Sequence, residues 1–307
     1  MSERVLVTGG CGFVGSHLVR KLVEDFKVVV LDNLSNGMTE NIADMKRKVR
    51  LIVGDVCDSE MVRGALKGCK YIFHLVAQGS VRRARADSIN DASTNIIGTL
   101  NVLRAAEDCE KVIIFSSAAV YGEPIRTPID EEHPRNPLSM YGVSKLASEN
   151  YARVFYENYG LPITVLRPFN IYGLGQRMDS QYSGVINIFA QSIIKGENPI
   201  FYGDGTQTRD FVHVSDVVEA SILAAESEKA IGQIFNVATG KATTINEIAS
   251  ELIQITGNKI EPVYINTHKE DIKHSVADIS KIQKTLSYKP KTTLTQGLKN
   301  MIKIDIQ

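Results

Sequence analysis

The chain has 307 residues, of which 43% are hydrophobic, and this length suffices for a full α/β domain with a smaller second unit. Lysine plus arginine and aspartate plus glutamate number 35 each, so the chain has no net charge with which to attract nucleic acid or an anionic membrane surface. The composition therefore excludes polyanion binding through overall charge, and we expect neither nucleic acid nor membranes as partners.

The N-terminal sequence and the cysteines indicate a cytoplasmic protein. The first residues resemble a strand instead of a signal peptide, and no apolar run approaches the roughly 20 residues that a membrane helix needs. Cys11, Cys57, Cys69 and Cys109 show neither CxxC spacing nor a cluster with histidine. We therefore expect reduced, buried thiols and no metal site.

Short β-branched runs alternate with stretches of helical periodicity along the first half of the chain. The predicted strands are residues 5–7, 27–31, 49–53, 71–75, 111–115 and 163–166, with a further strand at 233–237. Apolar residues at helical spacing between these strands, such as Leu18 and Leu103, predict crossover helices. This alternation predicts an α/β fold with a doubly wound parallel sheet of the Rossmann type.

The pattern changes near Pro168, where loops rich in Gly, Asn and Tyr replace the regular alternation. We therefore predict two units. The predicted Rossmann domain comprises residues 1–170 and 212–238, and a smaller α+β lobe for the substrate comprises residues 171–211 and 239–307.

A glycine-rich segment, TGGCGFVG at residues 8–15, lies directly after the first predicted strand and before a helix that begins near Phe13. Gly9, Gly12 and Gly15 have no side chains, so the backbone can turn tightly and approach a pyrophosphate at the N-terminus of this helix. The position of the motif between strand and helix predicts a dinucleotide site. The alternative is a glycine-rich turn that binds nothing.

Asp32 ends the second predicted strand, at the distance from the glycines where an acidic residue binds the adenosine ribose hydroxyls. A carboxylate at this position repels a 2′-phosphate, and residues 33–36 contain no arginine to bind one. The sequence therefore favours NAD over NADP as the cofactor.

Tyr141 and Lys145 are four residues apart in a segment of helical periodicity, so both side chains project from one face. A free phenol, with a pKa of about 10, is a poor base, but a nearby ammonium and the positive charge of a nicotinamide favour the phenolate. Tyrosine can then act as a general acid and base. Ser116 and Ser117 end the fifth predicted strand, where a hydroxyl can relay a proton. A core tyrosine beside an exposed lysine is the alternative explanation of this spacing.

Four segments, TGGCGFVG, SSAAVYG, YGVSK and LRPFNIYG, together resemble the extended short-chain dehydrogenase/reductases, in particular the branch that acts on sugar nucleotides. The resemblance covers nearly the whole chain. It implies that Ser117, Tyr141 and Lys145 are catalytic and that Ser116 is structural. It also implies a homodimer formed through the helices that contain Leu100 and Tyr141.

The NAD contacts expected from the motifs and from this resemblance lie mainly at the carboxyl ends of the predicted strands. We expect NAD to be regenerated in each cycle and to stay bound. The expected contacts are Gly9, Gly12, Phe13, Val14, Gly15, Asp32, Asn33, Ser35, Asn36, Gly37, Asp55, Val56, Leu75, Val76, Ala77, Asn95, Tyr141, Lys145 and Pro168.

The residues after the catalytic serine favour one reaction of this branch. Related 4,6-dehydratases and UDP-glucuronate decarboxylases have acidic residues there for elimination or decarboxylation, whereas this chain has Ala118 and Ala119. Two alanines leave reversible hydride transfer, so the resemblance implies a UDP-sugar 4-epimerase. In the expected cycle Tyr141, helped by Ser117, takes the 4-hydroxyl proton while C4 gives hydride to NAD. The 4-keto sugar then rotates and is reduced from its other face.

The resemblance also implies where UDP-sugar is bound. Asn170 follows the sixth predicted strand, and Arg209 occurs in DGTQTRDFVHVSD, where its planar guanidinium suits a pyrophosphate. An ion pair of Arg209 with Asp204 or Asp210 is the alternative. His268 replaces a second pyrophosphate arginine of the family. The expected substrate contacts are Gly79, Ser80, Ser117, Tyr141, Asn170, Val185, Tyr202, Arg209, Asp271 and Ser275.

Ser275 falls where a bulky tyrosine narrows the sugar pocket in relatives restricted to sugars without an N-acetyl group. A small residue leaves room beside C2, so we expect UDP-N-acetylglucosamine and UDP-N-acetylgalactosamine to be favoured and UDP-glucose and UDP-galactose to be permitted. The segment QGSVRRARADSIND at residues 78–91 resembles the corresponding loop of UDP-N-acetylglucosamine 4-epimerases and favours the same substrates.

Two other functions are open at this point. A UDP-glucuronate 4-epimerase or another UDP-sugar oxidoreductase would use the same catalytic residues and would add a carboxylate-binding group near C5 of the sugar. A non-catalytic NAD sensor or scaffold on this fold is the alternative from another class, although such proteins typically lose the tyrosine or the lysine.

Two further groups of polar residues are expected to be structural. Arg82, Arg83 and Arg85 form a basic cluster near an aspartate, which favours a solvated loop over contact with sugar or phosphate. His213 and Asp216 follow the Arg209 segment, and we expect them to cap a helix and order that segment.

Overall fold

A computed structural model describes residues 3–79, 81–176, 184–266 and 272–305, and within these ranges seven parallel strands form the main sheet. Numbered in chain order through the whole molecule, its strands are β1 (Arg4–Thr8), β2 (Lys27–Asp32), β3 (Val49–Val53), β4 (Tyr71–His74), β5 (Lys111–Phe115), β6 (Ile163–Pro168) and β11 (Ile234–Val237). Their order across the sheet is β11-β6-β5-β4-β1-β2-β3. The predicted parallel Rossmann sheet is confirmed, with strand ends that differ from the prediction by at most two residues.

The sheet is stable because its strands are apolar on both faces. In β1, Val5 and Val7 pack into one hydrophobic cluster, while Leu6 between them packs into the cluster on the opposite face. β2 continues the same alternation, with Val30 on the first face and Val29 on the second. Burial on both faces is the arrangement expected for a parallel sheet covered by helices on each side.

The helices cover the two faces and build the remaining layer. In chain order they are α1 (Phe13–Leu22), α2 (Ser59–Leu66), α3 (Val81–Ala86), α4 (Ser88–Ala92), α5 (Gly98–Ala105), α6 (Met140–Tyr159), α7 (Val185–Ile194), α8 (Val214–Glu226), α9 (Ile245–Thr256), α10 (Ser280–Leu286) and α11 (Leu294–Asp305). A π-helical turn, Ser93–Ile97, joins α4 to α5. In the described part of the chain, no helix is long and apolar enough to span a membrane.

A third hydrophobic cluster lies apart from the two that cover the sheet. Residues of α7, α9 and α11 build it, including Phe189, Leu252 and Leu298, and all its buried members fall in the segments predicted as the substrate lobe. However, Ile282 and Leu286 of α10 pack with the cluster on one face of the sheet. The division into two units therefore stays a prediction.

Short strand pairs connect the segments of the second half of the chain. They pair β7 (Asn170–Tyr172) with β10 (Phe211–His213), β9 (Thr208–Arg209) with β12 (Thr243–Thr244), and β8 (Ile200–Tyr202) with β13 (Val263–Ile265). Each pair joins residues that are at least 33 positions apart in the sequence, as in the contact of Thr243 with Arg209.

All four cysteines are free thiols, and Cys11, Cys69 and Cys109 are buried as expected. The expectation was wrong for Cys57, which is half-buried in the loop after β3. Its thiol donates to the carbonyl of Ser93 at 3.3 Å, so a partner on the π-helical turn holds it near the surface.

Candidate active site

A cleft of about 380 Å³ lies at the carboxyl edge of the main sheet. It opens where the strand order reverses between β1 and β4, which is where ligands bind in doubly wound sheets. The cleft is lined by Gly9, Gly12, Phe13, Val14, Gly15, Asp32, Asn33, Ser35, Asn36, Gly37, Asn41, Leu75, Val76, Ala77, Gln78, Gly79, Arg83, Phe115, Ser116, Tyr141, Lys145, Pro168, Ile171, Gly175 and Gln176.

The glycine-rich loop at one end of the cleft has the geometry of a pyrophosphate site. Gly9 has φ +73°, a conformation that favours glycine, and its amide donates to the carbonyl of Leu31 at 2.8 Å. A Cβ on Gly15 would lie 2.1 Å from the carbonyl oxygen of Gly9, so no larger residue fits there without a shift. Gly12, at the N-cap of α1, has no side chain to cap the helix. The first amides of α1 can therefore serve an anion, and the residues present fit NAD.

Asp32 lines the cleft and also holds the glycine-rich loop in place. Its Oδ2 accepts the amide of Cys11 at 2.9 Å, and its Oδ1 accepts the amide of Leu34 at 2.8 Å. Beside it, Asn33 is oriented by Asp55, whose Oδ2 accepts the Asn33 side-chain amide at 2.8 Å. Asp32 thus brings the loops after β1 and β2 together around the expected ribose position.

Most of the expected NAD contacts line this cleft, but Asp55, Val56 and Asn95 do not. Asp55 instead orients Asn33, which lines the cleft, by accepting its side-chain amide. Val56 belongs to the hydrophobic cluster on one face of the sheet. Asn95 is buried, and its Oδ1 accepts the amide of Gln78 at 2.9 Å, so it supports a residue that lines the cleft. Direct contact of these three with NAD stays a prediction.

The three expected catalytic residues lie close together, and two of them line the cleft. Tyr141 and Lys145 both line it from the first turns of α6, which begins after Ser139, whose Oγ accepts the amide of Gly142 at 3.1 Å. Ser117 does not itself line the cleft. Its side chain lies close enough to Tyr141 to act on the pKa of the phenol, and its Oγ accepts the amide of Ala119 at 3.2 Å.

Burial changes the pKa values of both residues on α6. It raises the pKa of Tyr141, an effect that the nearby Ser117 hydroxyl opposes and the charge of Asp91 reinforces. Burial lowers the pKa of Lys145 to about 8, against the opposing charges of Asp91 and Glu149. Nζ of Lys145 donates to the carbonyl of Phe115 at 2.7 Å. The expected lowering of the Tyr141 pKa is therefore not a property of the chain alone, because burial acts in the opposite direction.

A buried polar network fixes the end of β5 behind these residues. Glu149, one turn beyond Lys145, forms a two-pronged ion pair with Arg167 at 2.8 and 2.7 Å. The hydroxyl of Ser116 donates to the same carboxylate. Arg167 Nη1 also donates to the hydroxyl of Tyr121 at 2.8 Å. The hydroxyl of Ser116 is thus held by this network, and the structural role expected for Ser116 stays a prediction.

The expected substrate contacts come together only in part. Asn170, Arg209 and Ser275 lie on neighbouring segments, since the amide of Asn170 donates to the Asp210 carbonyl at 3.0 Å and that of Ser275 to the Thr208 carbonyl at 3.1 Å. Gly79 lines the cleft, whereas Asn170, Val185, Tyr202, Arg209 and Ser275 do not. Ser80 and Asp271, like His268, lie outside the described residues.

The acidic neighbours of Arg209 have other partners in the described structure. Asp210 is buried, and its carboxylate accepts the amides of Thr239 and Gly240, both at 2.8 Å. The carboxylate of Asp204 accepts the amide of Thr206 at 2.9 Å. These contacts order the two acids locally and give no support to the alternative in which either one takes up the guanidinium of Arg209.

The basic cluster does not form the expected solvated loop. Its residues belong to α3, and the side chain of Arg83 reaches the cleft, where its Nη1 donates to Oδ1 of Asn36. The loop prediction was wrong because Asp87, taken as a sign of a loop, instead caps the next helix by accepting the amide of Asn90 at 3.0 Å.

His213 and Asp216 have the expected structural character. His213 is the N-cap of α8, and its Nδ1 accepts the amide of Ser215 at 3.3 Å. Asp216 accepts the amides of Lys291 and Thr292 at 2.9 and 3.2 Å. Asp216 therefore orders the segment before α11, and not the Arg209 segment as expected.

Several residues that line the cleft were not expected as ligand contacts. They are Asn41, Gln78, Arg83, Phe115, Ser116, Ile171, Gly175 and Gln176. Gln78 lies between the expected contacts Ala77 and Gly79, so its position in the sequence was an available signal. Ile171 lies in the three-residue strand β7, and Gly175 and Gln176 follow it in an irregular segment, so no periodicity indicates which side chains face a ligand.

The chain is similar to proteins of known type along its whole length. Residues 5–238 match the family model described as "NAD dependent epimerase/dehydratase family". A putative UDP-glucose 4-epimerase of Methanocaldococcus jannaschii is 37% identical over 304 residues, 97% of each chain. The structure of a UDP-glucose 4-epimerase of Thermotoga maritima with UDP-glucose is 38% identical and has a TM-score of 0.94, covering 99% of this chain and 98% of that one.

A second solved structure has the same degree of similarity. The UDP-N-acetylglucosamine 4-epimerase of Methanobrevibacter ruminantium, in complex with UDP-N-acetylmuramic acid, is 38% identical, with a TM-score of 0.95 over 100% of this chain and 99% of that one. Both the match along the chain and the cleft at the carboxyl edge therefore identify NAD as the cofactor. The chain belongs to the NAD-dependent epimerase/dehydratase family.

Proposed function

We propose that this protein is an NAD-dependent 4-epimerase of UDP-sugars that favours UDP-N-acetylglucosamine and UDP-N-acetylgalactosamine. The observation that carries the proposal is the placement of Tyr141 and the buried Lys145 together in the lining of the cleft, with the Ser117 side chain close enough to Tyr141 to act on the pKa of its phenol. This arrangement suits reversible transfer of a hydroxyl proton. The names of similar proteins that act on UDP-glucose or UDP-N-acetylglucosamine support a UDP-sugar as substrate.

In the proposed reaction, Tyr141 takes the proton of the sugar 4-hydroxyl and returns a proton to the same oxygen after the sugar has turned. Ser117 passes the proton between the substrate oxygen and the phenol. When bound, NAD would accept the hydride and its reduced form would return it. The positive charge of the oxidised form would lower the pKa of a neighbouring phenol. Lys145, with a pKa of about 8, is mostly protonated at neutral pH and adds positive charge on the same helix.

Ala118 and Ala119 favour epimerisation over the other reactions of the family. They form the short 3-10 turn that follows Ser117, and both are half-buried. A methyl group can neither donate nor accept a proton, so these positions offer no acid or base for elimination at C5 and C6. The 4-keto sugar is then reduced at C4 and does not undergo elimination.

Ser275 supports the proposed preference for N-acetylated sugars. Its backbone is tied to Thr208, directly before Arg209, so its side chain lies near the residues proposed to hold the diphosphate. The side chain is small and half-buried, which leaves volume for an acetamido group. The chain is equally similar to a UDP-glucose and a UDP-N-acetylglucosamine 4-epimerase, each 38% identical, so the preference rests on this residue.

A homodimer formed through α5 and α6 is also part of the proposal. Exposed apolar side chains lie in and next to these helices, among them Ile97 directly before α5 at 48%, and Val143 and Tyr151 of α6 at 50% and 42%. Exposed apolar residues on two adjoining helices are typical of a subunit interface. Light scattering after size-exclusion chromatography measures the mass in solution, and a mass of one chain would contradict this part.

The experiment that tests the proposed function is a proton NMR time course of the purified protein with UDP-N-acetylglucosamine and, separately, UDP-glucose, without added NAD. We expect anomeric signals of the galacto epimer in both samples, with the faster rate for the N-acetylated sugar. A faster rate for UDP-glucose would overturn the preference alone. Unchanged spectra even with NAD added would overturn the proposed activity on these sugars.

A further inference from the structure

We infer that Gln78 binds the ligand directly, its side-chain Oε1 accepting a hydrogen bond from a donor group of the ligand at the reactive end of the cleft. This inference rests on the proposed function, because it concerns the same cleft and the same ligands. Two observations lead to it. Gln78 lines the cleft, and its Oε1 is buried without a hydrogen-bond partner among the described residues.

A buried acceptor without a partner destabilises a folded protein, and the large majority of buried polar side-chain atoms are paired. The exceptions call for a specific cause. In a cleft that takes up a ligand, the cause is that the ligand supplies the missing donor. The unpaired oxygen of Gln78 therefore gains its hydrogen-bond partner when the ligand binds.

The backbone of Gln78 is fixed relative to the proposed catalytic residues. Its amide donates to Oδ1 of Asn95 at 2.9 Å. Nδ2 of Asn95 in turn donates to the hydroxyl of Ser144 at 2.8 Å and to the carboxylate of Asp91 at 2.9 Å. Ser144 directly precedes Lys145 on α6, so this chain of hydrogen bonds ties Gln78 to the end of the cleft where the reaction takes place.

The space beside Gln78 is open to a ligand. Gly79 is exposed and lines the cleft, and a Cβ built on it would meet no atom of the described structure within 4 Å. The segment after β4 is thus held at Gln78 by Asn95 and has open space at Gly79.

The chemistry of an acceptor defines its partner. The oxygens of a diphosphate have no proton to donate at neutral pH, so the diphosphate of neither ligand satisfies Oε1. The partner is a hydroxyl or an amide N–H. Two sources near the reacting carbon have such groups, the sugar of the substrate and the nicotinamide end of the cofactor, and the experiment distinguishes them.

Two substitutions at Gln78 test the inference. Gln78→Met keeps the length of the side chain and removes the acceptor, whereas Gln78→Glu keeps an acceptor. Gln254→Met, at an exposed position of α9, is the matched control for the change of residue type. We would measure the Kd of NADH by its fluorescence, the KM and kcat with UDP-N-acetylglucosamine at saturating NAD, and the melting temperature without ligand.

We expect Gln78→Met to weaken the binding of one of the two ligands by roughly 3–10-fold, which is the effect of losing one neutral hydrogen bond. A raised KM with an unchanged Kd of NADH assigns the donor to the sugar, and a raised Kd of NADH assigns it to the cofactor. Gln78→Glu should stay closer to the wild type in the same quantity. The melting temperature of ligand-free Gln78→Met should not fall, because the substitution removes an unpaired buried acceptor.

Other results would overturn the inference. If Gln78→Met left both the KM and the Kd of NADH within twofold of the wild type and the Gln254→Met control, Oε1 would be satisfied by water. A large fall in the melting temperature of ligand-free Gln78→Met would indicate a structural role instead. A different result would separate the two proposals. If the wild type turned over no UDP-sugar while Gln78→Met still raised the Kd of NADH, the proposed function would fail, and the inference would hold with the cofactor as the ligand.

Discussion

The dinucleotide end of the cleft and the proposed substrate end, whose residues lie outside the lining of the cleft, are built in different ways. The dinucleotide end comes from loops that directly follow β1, β2 and β4, so each contributing residue lies a few positions beyond a strand. The proposed substrate end depends on Asn170, Arg209 and Ser275, which only short strand pairs and single backbone hydrogen bonds bring together. The first end is specified by local sequence, and the second by contacts between distant segments. Substitutions at the two ends should therefore change different properties of the protein.

The largest effect is expected where the two ends meet, at Tyr141. Tyr141→Phe removes the group proposed to carry the 4-hydroxyl proton, and general acid–base catalysis contributes about 10²–10⁴-fold to a rate. We expect kcat to fall by that factor while the Kd of NADH changes little. Tyr159→Phe, at an exposed position at the C-terminal end of the same helix, is the control. Unchanged turnover of Tyr141→Phe would show that another group transfers the proton.

At the substrate end, Ser275→Tyr should change which sugar is used. A phenol ring in place of the small side chain fills the volume proposed for the acetamido group. Pocket contacts of this size discriminate by roughly 10–200-fold, so the ratio of kcat/KM for UDP-N-acetylglucosamine to that for UDP-glucose should fall by about this factor. Ser275→Ala should keep the wild-type ratio. If Ser275→Tyr kept it too, the acetamido group would lie elsewhere.

At the dinucleotide end, one methyl group should be enough to disturb the site. A Cβ on Gly15 would lie 2.1 Å from the Gly9 carbonyl oxygen, so Gly15→Ala forces the loop to shift. Overpacking of this kind costs about 1–3 kcal/mol, and we expect a lower melting temperature and about tenfold weaker NADH binding.

Gly64→Ala is the matched control for Gly15→Ala. Gly64 lies within α2, and a Cβ there would meet no described atom within 4 Å. Alanine is the better helix former by about 0.5–1 kcal/mol, so this substitution should stabilise the protein and leave NADH binding unchanged. Equal behaviour of the two variants would contradict the account of the glycine-rich loop.

The dependence of stability on pH should reflect the titration of Lys145. Because its pKa is lowered to about 8 in the folded protein, against about 10.4 in an unfolded chain, the unfolded state binds more protons between these two values. The contribution of this group to stability is therefore present above about pH 10.4 and is lost as the pH falls to about 8. Urea titrations of the wild type and Lys145→Met at pH 7 and 10.5 should show a stability difference that changes in favour of the wild type at the higher pH. A difference independent of pH would mean that the pKa of Lys145 is not lowered.

The sheet and the dinucleotide end could be predicted because their signals are local. The alternation of β-branched runs with helical spacing defined all the strands of the main sheet, and TGGCGFVG marked the loop that meets α1. Tyr141 and Lys145 were found by a helical spacing that the structure shows on α6. In each case the information lies within one strand, one loop or one helix.

The remaining features depend on long-range contacts that no local pattern contains. The second role of Asp32, which accepts the amide of Cys11, depends on how the loops after β1 and β2 approach each other. The contact of Arg83 with Asn36 joins α3 to the loop after β2. The lack of a partner for Gln78 Oε1 among the described residues depends on how the segments around it pack. Such features depend on how distant segments pack together, which no local sequence pattern indicates.

The central claim is that the protein removes hydride from C4 of a UDP-sugar and returns it to the same carbon. The most direct measurement uses UDP-N-acetylglucosamine with deuterium at C4 and follows the sugar product by NMR and mass spectrometry. The account predicts the galacto epimer with the deuterium retained at C4. A product that had lost the deuterium to solvent or carried it at another carbon, such as a dehydrated sugar, would contradict the account.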